Sequence, residues 1–290
     1  MFKHNIYFLE GKILRYYNLL RTLALIVVIL SIIGLAVVYI HLILGYDVIR
    51  YISGVRETVE QEEAKIMENG SLIYLPLPVF KGNISLEEAI LYRRSIREYL
   101  DKPLTLRQLS QLLWAAQGIT ETHWGFRASP SAGATYPLEV YVVVGENGVE
   151  GLNAGVYRYR PHSHSLVLVR SGDIRMKLYE ACLNQEWVRD APVVLVIAAE
   201  YERTTRIYGE RGIRYVHMEV GHVGQNIYLE ATALGLGTVA VGAFYDDDVR
   251  VIIGAPENHH PLYVMPIGVP VKPYRVSAQE IYNYIEAHRG

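Results

Sequence analysis

The chain has 290 residues, 51% of them hydrophobic and 20% charged, so it is long and apolar enough to bury a sizeable core. Its formal net charge is -2, and no block of lysine and arginine forms a basic surface, which argues against nucleic acid as a partner. The single cysteine, Cys182, excludes an intramolecular disulfide and a cysteine-rich metal site. His217 and His222 lack the spacing of a helical zinc pair, so we predict no metal site.

The first predicted element is a transmembrane helix over residues 23–44. This run contains no Asp, Glu, Lys or Arg, and at about 1.5 Å per residue it would reach about 33 Å, which spans a bilayer. The alternatives are a cleaved signal peptide and a buried core helix. The run is long for a signal peptide, and no small-residue cleavage site follows it. We therefore predict a single-pass membrane protein that contacts the lipid bilayer through this helix.

The segments that flank this helix differ in charge. Basic residues lie both in the N-terminal tail, residues 1–22, and shortly after the helix, at Lys3, Lys12, Arg15, Arg21, Arg50 and Arg56. The larger number before the helix favours a cytoplasmic N-terminus, although the two arginines that follow leave the side of the catalytic domain open. Residues 45–70 are rich in glutamate and predict a polar helical stalk. The remaining residues, 71–290, form the predicted folded domain.

Capping signals predict two helices at the start of this domain. The proline-containing stretch YLPLPVF, residues 74–80, is typical of an extended connector. Ser85 with Glu88 then forms a capping box for a helix that runs through LEEAILYRRSI. Thr105 with Gln108 forms a second capping box, and the helix that follows carries an apolar stripe that must face a core.

Short valine-rich runs predict the strands of a sheet. They are LEVYVVV (138–144), VVLVIAA (193–199), TVAVGAF (238–244) and LYVMPIG (262–268). GVYRYRPHSHSLVLVR predicts a hairpin, and the apolar spacing from His217 to Leu234 predicts a helix that stops at Gly235. Continuous apolar strands suit a sheet that is covered on both faces. We therefore predict an α+β fold, with a mixed sheet flanked by helices, preceded by one transmembrane helix.

The stretch YRRSIREYL, residues 92–100, carries three arginines and a serine at the predicted end of the first helix. Arg93, Arg94 and Arg97 could simply complement the helix dipole. Guanidinium groups and a hydroxyl are also the donors that a phosphate monoester requires, so a phosphate clamp is the alternative.

An ordered set of motifs resembles the nitroreductase superfamily, in particular its SagB-type dehydrogenase branch. These motifs are RRSIREY, LTLRQLSQLLWAAQGIT, SPSAGATYPLEVYVVV, GVYRYRP, YGERGIRY and GHVGQNIYLEATALGLGTVAVGAF. The resemblance covers roughly residues 71–275. It implies a nitroreductase-like, FMN-dependent fold that works as a homodimer with flavin at the subunit interface.

The resemblance also implies roles for individual residues. Arg93 and Ser95 match phosphate-binding positions, Arg97 matches a basic position near the ribityl and pyrimidine side, and Arg94 belongs to the same basic cluster. The segment that approaches the ring from the other subunit matches Pro130, Ser131, Ala132 and Gly133. The backbone against the reactive edge of the flavin matches Val241, Gly242 and Ala243. Gln117 and Lys272 are weaker matches, the first to a contact with the ring and the second to a phosphate ligand.

The small residues of RASPSAGATYPLEVYVVV then have a physical reason. A planar ring that accepts a hydride on one exposed face needs backbone close to its edge, and only small side chains permit that approach. The resemblance implies ping-pong hydride transfer through flavin N5, with NADH or NADPH as a candidate donor and a small molecule or a peptide as the redox substrate. It leaves azoline oxidation and quinone or nitro reduction as alternatives.

A lysine-tyrosine pair is expected to handle protons in the azoline-oxidising members of this branch, but the equivalent place here has Ile207 and Tyr208. The missing lysine puts peptide-heterocycle oxidation in doubt, and Tyr208 is left as the candidate catalytic proton donor. Two other functional classes stay open. One is a redox sensor or catalytically silent subunit of a membrane complex that binds flavin, and the other is a flavin-free, membrane-tethered binding module.

Overall fold

The computed structural model describes residues 35, 39 and 72–289. The chain divides into two compact units, Met1–Glu63 and Ala64–Gly290, and residues 72–289 belong to the second. Apart from Leu35 and Tyr39, the predicted tail, transmembrane helix and stalk lie outside the described residues. Among the residues that are described, no helix is both long enough and apolar enough to cross a bilayer.

A seven-stranded antiparallel sheet forms the centre of the second unit. Its strands are β1 (Leu72–Tyr74), β2 (Leu138–Val144), β3 (Gly155–Arg160), β4 (Ser165–Ser171), β5 (Val193–Ala199), β6 (Gly237–Thr238) and β7 (His260–Gly268), in the order β1-β4-β3-β2-β5-β7-β6. The predicted runs at 138–144 and 193–199 and the predicted hairpin are confirmed.

The predicted mixed sheet is wrong, because every pair of described strands is antiparallel. A continuous apolar run shows only that both faces of a strand are covered, and it does not fix strand direction. Of the two isolated parallel bridges among the described residues, the one from Ser95 to Thr238 adds the arginine-rich segment to the β6 edge.

The central strands bury alternate side chains in two separate cores. In β5, Val193, Leu195 and Ile197 pack in one core, which also receives α2 (Leu106–Gln117) and α6 (Arg211–Ala233). The intervening Val194 and Val196 pack in the other core. That core is covered by three short helices, α3 (Arg175–Ala181), α4 (Glu186–Asp190) and α7 (Asp246–Ile252). Helices on both faces, as predicted, explain why the strands are apolar throughout.

The first helix, α1 (Leu86–Tyr92), is shorter than predicted. Both capping boxes, at Ser85 and at Thr105, are present. The prediction that α1 runs through Ile96 is wrong, because the chain turns to the sheet edge after Arg93. There the Ile96 amide donates to the Thr238 carbonyl at 2.9 Å, so the sheet satisfies a backbone group that a longer helix would have used. Arg93 is therefore the C-cap of α1, and Arg94 and Arg97 follow it on an extended segment.

The strand predicted at 238–244 is also mostly wrong. Only Thr238 belongs to β6, and Val241 forms a single bridge with Val264. Between them the Ala240 amide donates to the Tyr228 hydroxyl at 2.8 Å, so it does not join a ladder. The helix predicted from His217 begins earlier, at Arg211, and Gly235 follows its end with φ 72°, as predicted for a C′ glycine.

Two further helices complete the described fold. One is α5 (Glu202–Tyr208), which ends just before α6 begins, and the other is the C-terminal α8 (Ala278–Ala287). A capping box at Ser277 begins α8, which buries none of its side chains among the described residues.

Candidate active site

Tyr228 on α6 joins two of the predicted flavin-binding segments. Its hydroxyl shares a hydrogen bond of 3.0 Å with the Ser95 hydroxyl and accepts the Ala240 amide at 2.8 Å. The Arg93 guanidinium lies over its ring, 5.1 Å from the centroid. Tyr228 thus holds the arginine-rich segment beside Ala240. Residues 241–243 directly follow Ala240 in the chain.

The three arginines of this segment have different surroundings. Arg94 donates to the carbonyls of Leu91 and Arg93 at the end of α1, and it stacks on Tyr274 at 3.8 Å. Of the two roles predicted for these arginines, interaction with the end of the helix therefore fits Arg94. Arg97 is exposed, and its guanidinium lies 5.3 Å from the centroid of the Trp187 ring.

The segment that contains Lys272 runs past the arginine-rich segment. The Val271 amide donates to the Glu98 carbonyl at 3.1 Å, so the C-terminal segment lies beside the arginine-rich segment at this point. Lys272 follows directly and is exposed. A phosphate contact by Lys272 stays a prediction.

The segment Val241–Ala243 offers open backbone. Val241 exchanges two backbone hydrogen bonds with Val264, at 2.9 and 3.0 Å, which fix its position at the sheet edge. A Cβ on Gly242 would meet no atom within 4 Å, and Gly242 and Ala243 are exposed. The Ala243 carbonyl accepts the Gln185 side-chain amide at 2.9 Å. A flat ligand can therefore approach the backbone here without meeting a side chain.

Three residues of this site were not predicted from the sequence: Tyr228, Gln185 and Trp187. Tyr228 lies in a helix whose apolar spacing indicated only core packing, and Gln185 and Trp187 precede a strand without a recognisable motif. Near this group, the buried Trp187 indole nitrogen and Thr238 hydroxyl lack a hydrogen-bond partner among the described residues. Buried donors of this kind usually have a partner, so a bound ligand would explain them.

This set of groups fits FMN. Guanidinium and hydroxyl donors at Arg93, Ser95 and Arg97 suit a phosphate and a polyol, because charge-assisted hydrogen bonds to phosphate are strong. The open backbone at Gly242 and the unpartnered indole N–H suit the polar edge of a planar heterocycle.

The predicted loop Pro130–Gly133 lies in a second group, around Tyr208. Gly133 has φ 59°, and a Cβ there would stand 2.7 Å from the Tyr208 hydroxyl. The loop is tied to α5 by a bond of 2.8 Å between the Thr135 and Thr204 hydroxyls. Tyr208 itself is 37% exposed and packs edge-on against Tyr215, at 5.1 Å between ring centroids. The loop and the candidate proton donor are therefore direct neighbours.

Gln117 lies behind this loop and is buried. Its carbonyl oxygen accepts an Arg127 guanidinium N–H at 3.3 Å, and its amide nitrogen has no partner in the described part of the chain. A contact between Gln117 and the flavin ring stays a prediction.

Comparison with known proteins decides the family. A model of the Nitroreductase family matches residues 90–269, which is more than half of the chain. The chain belongs to the nitroreductase family.

This nitroreductase is 53% identical over 199 residues to a Methanocaldococcus jannaschii protein named as a nitroreductase, and the match covers 69% of the chain and 98% of the relative. It is 31% identical over 173 residues to the trifolitoxin-processing protein TfxB of Rhizobium leguminosarum bv. trifolii, covering 56% of the chain but only 45% of TfxB.

A crystal structure of a Ralstonia eutropha protein described as a nitroreductase is 31% identical, with a TM-score of 0.61, and the match covers 69% of this chain and 90% of the other. The predicted nitroreductase-like α+β fold is confirmed.

A cavity of about 770 Å³ borders the start of the Pro130–Gly133 loop, because Ala128 and Asn226 line it and Asn226 donates to the Ser129 hydroxyl. It is lined by the connector residues 79–85 and by parts of α1, α2 and α6, including Trp114 and Glu230. None of the predicted site residues lines it.

The Tyr228 hydroxyl should matter for cofactor retention. We expect Tyr228→Phe to leave a folded nitroreductase that retains several-fold less FMN, because the Ala240 amide and Ser95 lose their common partner. An unsatisfied buried amide costs about 1–3 kcal/mol. The measurement is the FMN-to-protein ratio after gel filtration, and Tyr179→Phe, remote from these contacts, is the control. Equal FMN content in both variants would contradict this role.

Proposed function

We propose that this nitroreductase is an FMN-dependent oxidoreductase of the SagB type, anchored in a membrane through residues 23–44. Bound FMN would supply hydride transfer at its N5 atom, in a ping-pong cycle that a donor and an acceptor share in turn. The observation that carries the proposal is the meeting of residues 93–97 and 240–243 at Tyr228, beside a buried indole donor without a partner.

The basic residues would hold the phosphate end of the cofactor. Arg93 and Ser95 offer a planar guanidinium and a hydroxyl on one short extended segment. Lys272 adds a point charge from the C-terminal segment, and Arg97 would reach the ribityl and pyrimidine side. Arg94 would contribute mainly its charge, because its guanidinium already donates to carbonyls at the end of α1.

In the segment Val241–Ala243, the backbone of Gly242 and Ala243 would bind the reactive edge of the ring, and Val241 would anchor that backbone through its two bonds to Val264. Backbone N–H groups fixed by the sheet need no reorganisation when charge develops on a ligand, which makes them effective electrostatic stabilisers. A cation near the pyrimidine side favours an anionic reduced ring, and Arg97 would act in this way. Gln185 would hold this segment in place through its bond to the Ala243 carbonyl.

A homodimer would complete the site. Among the described residues, no hydrogen bond, ion pair or ring contact joins Pro130–Gly133 to the group around Tyr228. In the proposed assembly a second copy brings its own loop, with Tyr208, to the ring from the other side. Small residues in that loop permit the close approach.

Two observations bear on the substrate that Tyr208 would serve, and they favour different classes. Its hydroxyl would hold or deliver a proton to a small-molecule or peptide substrate, with NADH or NADPH as the electron donor. Similarity to a trifolitoxin-processing protein supports a peptide substrate. Ile207 offers no base beside Tyr208, which supports quinone or nitro reduction instead.

The anchor defines the proposed location. An uncharged apolar run at residues 23–44 would hold the enzyme in a membrane as a single-pass protein. The positive charges that precede the run favour a cytoplasmic N-terminus.

The first experiment is a visible absorption spectrum of the detergent-purified full-length protein, followed by mass identification of any cofactor released on denaturation. Stoichiometric FMN that NADH or NADPH reduces, and that an acceptor reoxidises, supports the proposal. A protein that stays colourless after reconstitution with excess FMN would overturn it and favour a flavin-free, tethered binding module.

A second candidate is a flavin-binding redox sensor or catalytically silent subunit. The observation that favours it is the absence of a lysine beside Tyr208, which leaves one phenol as the candidate proton donor. Bound FMN that no pyridine nucleotide reduces and no membrane quinone reoxidises would support this function instead.

The phosphate role of Arg93 gives a direct test. We expect Arg93→Ala to weaken FMN binding by about tenfold to a hundredfold, since a hydrogen bond to a charged group contributes about 1.5–3 kcal/mol. Riboflavin, which lacks the phosphate, should bind both proteins equally. Arg189→Ala is the matched control, because Arg189 is an arginine stacked on a tyrosine outside this group. Fluorescence titration measures all of these affinities, and an FMN affinity unchanged by Arg93→Ala would refute the role.

A further inference from the structure

Residues 133–136, here called the strained turn, join the Pro130–Gly133 loop to β2. Gly133, Ala134 and Tyr136 all have positive φ, at 59°, 53° and 44°. This left-handed region is unfavourable for residues with a side chain, and above all for a bulky one such as tyrosine. Such conformations persist only where neighbouring contacts fix them, and they concentrate at functional sites. The contacts that fix Tyr136 therefore point to what the turn is for.

Side chains bind both backbone groups of Tyr136. Its amide donates to the Ser131 hydroxyl at 2.9 Å, a contact within the loop itself. Its carbonyl accepts an N–H of the Arg203 guanidinium at 3.0 Å, and Arg203 lies outside the loop, on α5. Because the two bonds fix the peptide groups on either side of Tyr136, they resist its rotation into the favoured region.

Arg203 is itself held by two carboxylates. Its Nη1 atom, which also binds the Tyr136 carbonyl, lies 2.8 Å from Glu139, and its Nη2 atom lies 2.7 Å from Glu200. None of the three charged side chains is more than 20% exposed. Glu139 belongs to β2, and Glu200 directly follows β5. The planar guanidinium thus connects the two central strands to the strained turn.

The charge on Arg203 and the charge on Glu139 support each other. Burial acts to raise the pKa of Glu139, but Arg203 and Arg158 outweigh it and lower that pKa to about 2. Burial also acts to lower the pKa of Arg203, but Glu139 and Glu200 raise it overall. Arg203 is therefore a permanent cation whose bond to the turn does not depend on the gain or loss of a proton.

Helix α5 follows the loop from its first turn to its last residue. At the start Arg203 binds the Tyr136 carbonyl, and the next residue, Thr204, is buried and bonded to the strained turn. At the end stands Tyr208, whose hydroxyl would lie 2.7 Å from a Cβ on Gly133. The position of Tyr208 relative to the loop therefore depends on how α5 and the strained turn are joined.

We propose that Arg203 is a positioning residue of the flavin site: anchored by two carboxylates, it holds the strained backbone of Tyr136 and with it the loop that meets the ring. The loop in turn keeps Gly133 against the Tyr208 hydroxyl. The inference rests on the proposed function, which gives this loop its place beside the flavin. Arg203 would touch neither flavin nor substrate and would act only through the loop.

The informative variant is Arg203→Met combined with Glu139→Gln. Methionine removes the donor to the Tyr136 carbonyl, and glutamine removes the carboxylate that would otherwise be left buried without its counter-ion, which is strongly destabilising. The matched control is Arg206→Met combined with Glu139→Gln, because Arg206 is exposed on the same helix. The two proteins differ only in which arginine of α5 is lost.

Two measurements on the full-length protein in detergent separate a local role from a general one. Hydrogen exchange without added flavin compares residues 131–136 with the central strand β5. Fluorescence titration gives the dissociation constants of FMN and of riboflavin, which lacks the phosphate. If the Arg203 double variant does not fold, Arg203→Lys replaces it, with Arg206→Lys as its control. One lysine nitrogen cannot occupy the positions of both guanidinium nitrogens.

We expect exchange at residues 131–136 to be about tenfold faster in the Arg203 variant than in its control, with exchange in β5 unchanged. FMN and riboflavin should both lose affinity by about tenfold, because a charged hydrogen bond that orders the loop is gone and the loop meets the ring rather than the phosphate.

Three results would overturn the proposal. They are loop exchange equal to that of the control, a rise in β5 exchange as large as that of the loop, and a loss of FMN affinity that riboflavin does not share. If neither flavin binds to any of these proteins or to the natural one, the proposed function fails. Loop exchange would then still decide whether Arg203 holds the strained turn.

Discussion

Gly133→Val should yield a folded nitroreductase that no longer retains FMN. Residue 133 has φ 59°, a conformation that valine adopts only with strain, and a Cβ would stand 2.7 Å from the Tyr208 hydroxyl. The loop or Tyr208 must move to relieve this contact, and overpacking of this kind costs about 1–3 kcal/mol. We expect FMN affinity to fall by about tenfold to a hundredfold, as measured by fluorescence titration.

Two controls separate the contact with Tyr208 from backbone strain. Gly151 also has a positive φ, 76°, but a Cβ there would meet no atom within 4 Å, so Gly151→Val carries the strain without the clash. It should lower the melting temperature and leave FMN affinity unchanged. In the double variant Gly133→Ala with Tyr208→Phe, removal of the hydroxyl should restore part of the affinity lost in Gly133→Ala. Equal FMN loss from Gly151→Val and Gly133→Val would argue against a specific role for this loop.

The parts of the fold that depend on local signals could be predicted from the sequence. Capping boxes at Ser85 and Thr105 placed two helix starts, and continuous valine-rich runs placed β2 and β5. The end of α1 could not be placed, because it depends on a bond between Ile96 and Thr238, residues far apart in the chain. Strand direction failed for the same reason, since it is fixed by the partner and not by the strand's own residues.

The residues of the candidate site also fall into those that local motifs predict and those that only the fold brings together. Motif positions such as Ser95 and Gly242 could be found because they lie in short, recognisable segments. Tyr228 could not, since its spacing within α6 is that of a core position and only the fold brings its hydroxyl to Ser95 and Ala240. The buried Glu219 on α6 could not be predicted either, because a glutamate on a helix normally faces solvent.

Glu219, a buried carboxyl on α6, should control how the free energy of unfolding changes with pH. Its pKa is raised by burial from 4.5 to about 7 in the folded protein. A carboxyl with a raised folded pKa stabilises the fold fully below its unfolded pKa, and this contribution is lost as pH rises through the folded value. Between pH 4.5 and pH 7.5 the free energy of unfolding should therefore fall by about 3 kcal/mol on account of this group.

Glu219→Gln should remove this part of the pH dependence, because the glutamine side chain does not titrate. Urea unfolding of the full-length protein in detergent at several pH values gives the difference in unfolding free energy between the two proteins. That difference should change by about 3 kcal/mol across the same window, in favour of the variant at high pH. Glu257→Gln, at an exposed carboxyl, should give a curve parallel to the natural one. A parallel curve for Glu219→Gln as well would mean that the buried carboxyl is already ionised at pH 4.5, with Arg127 as its counter-ion.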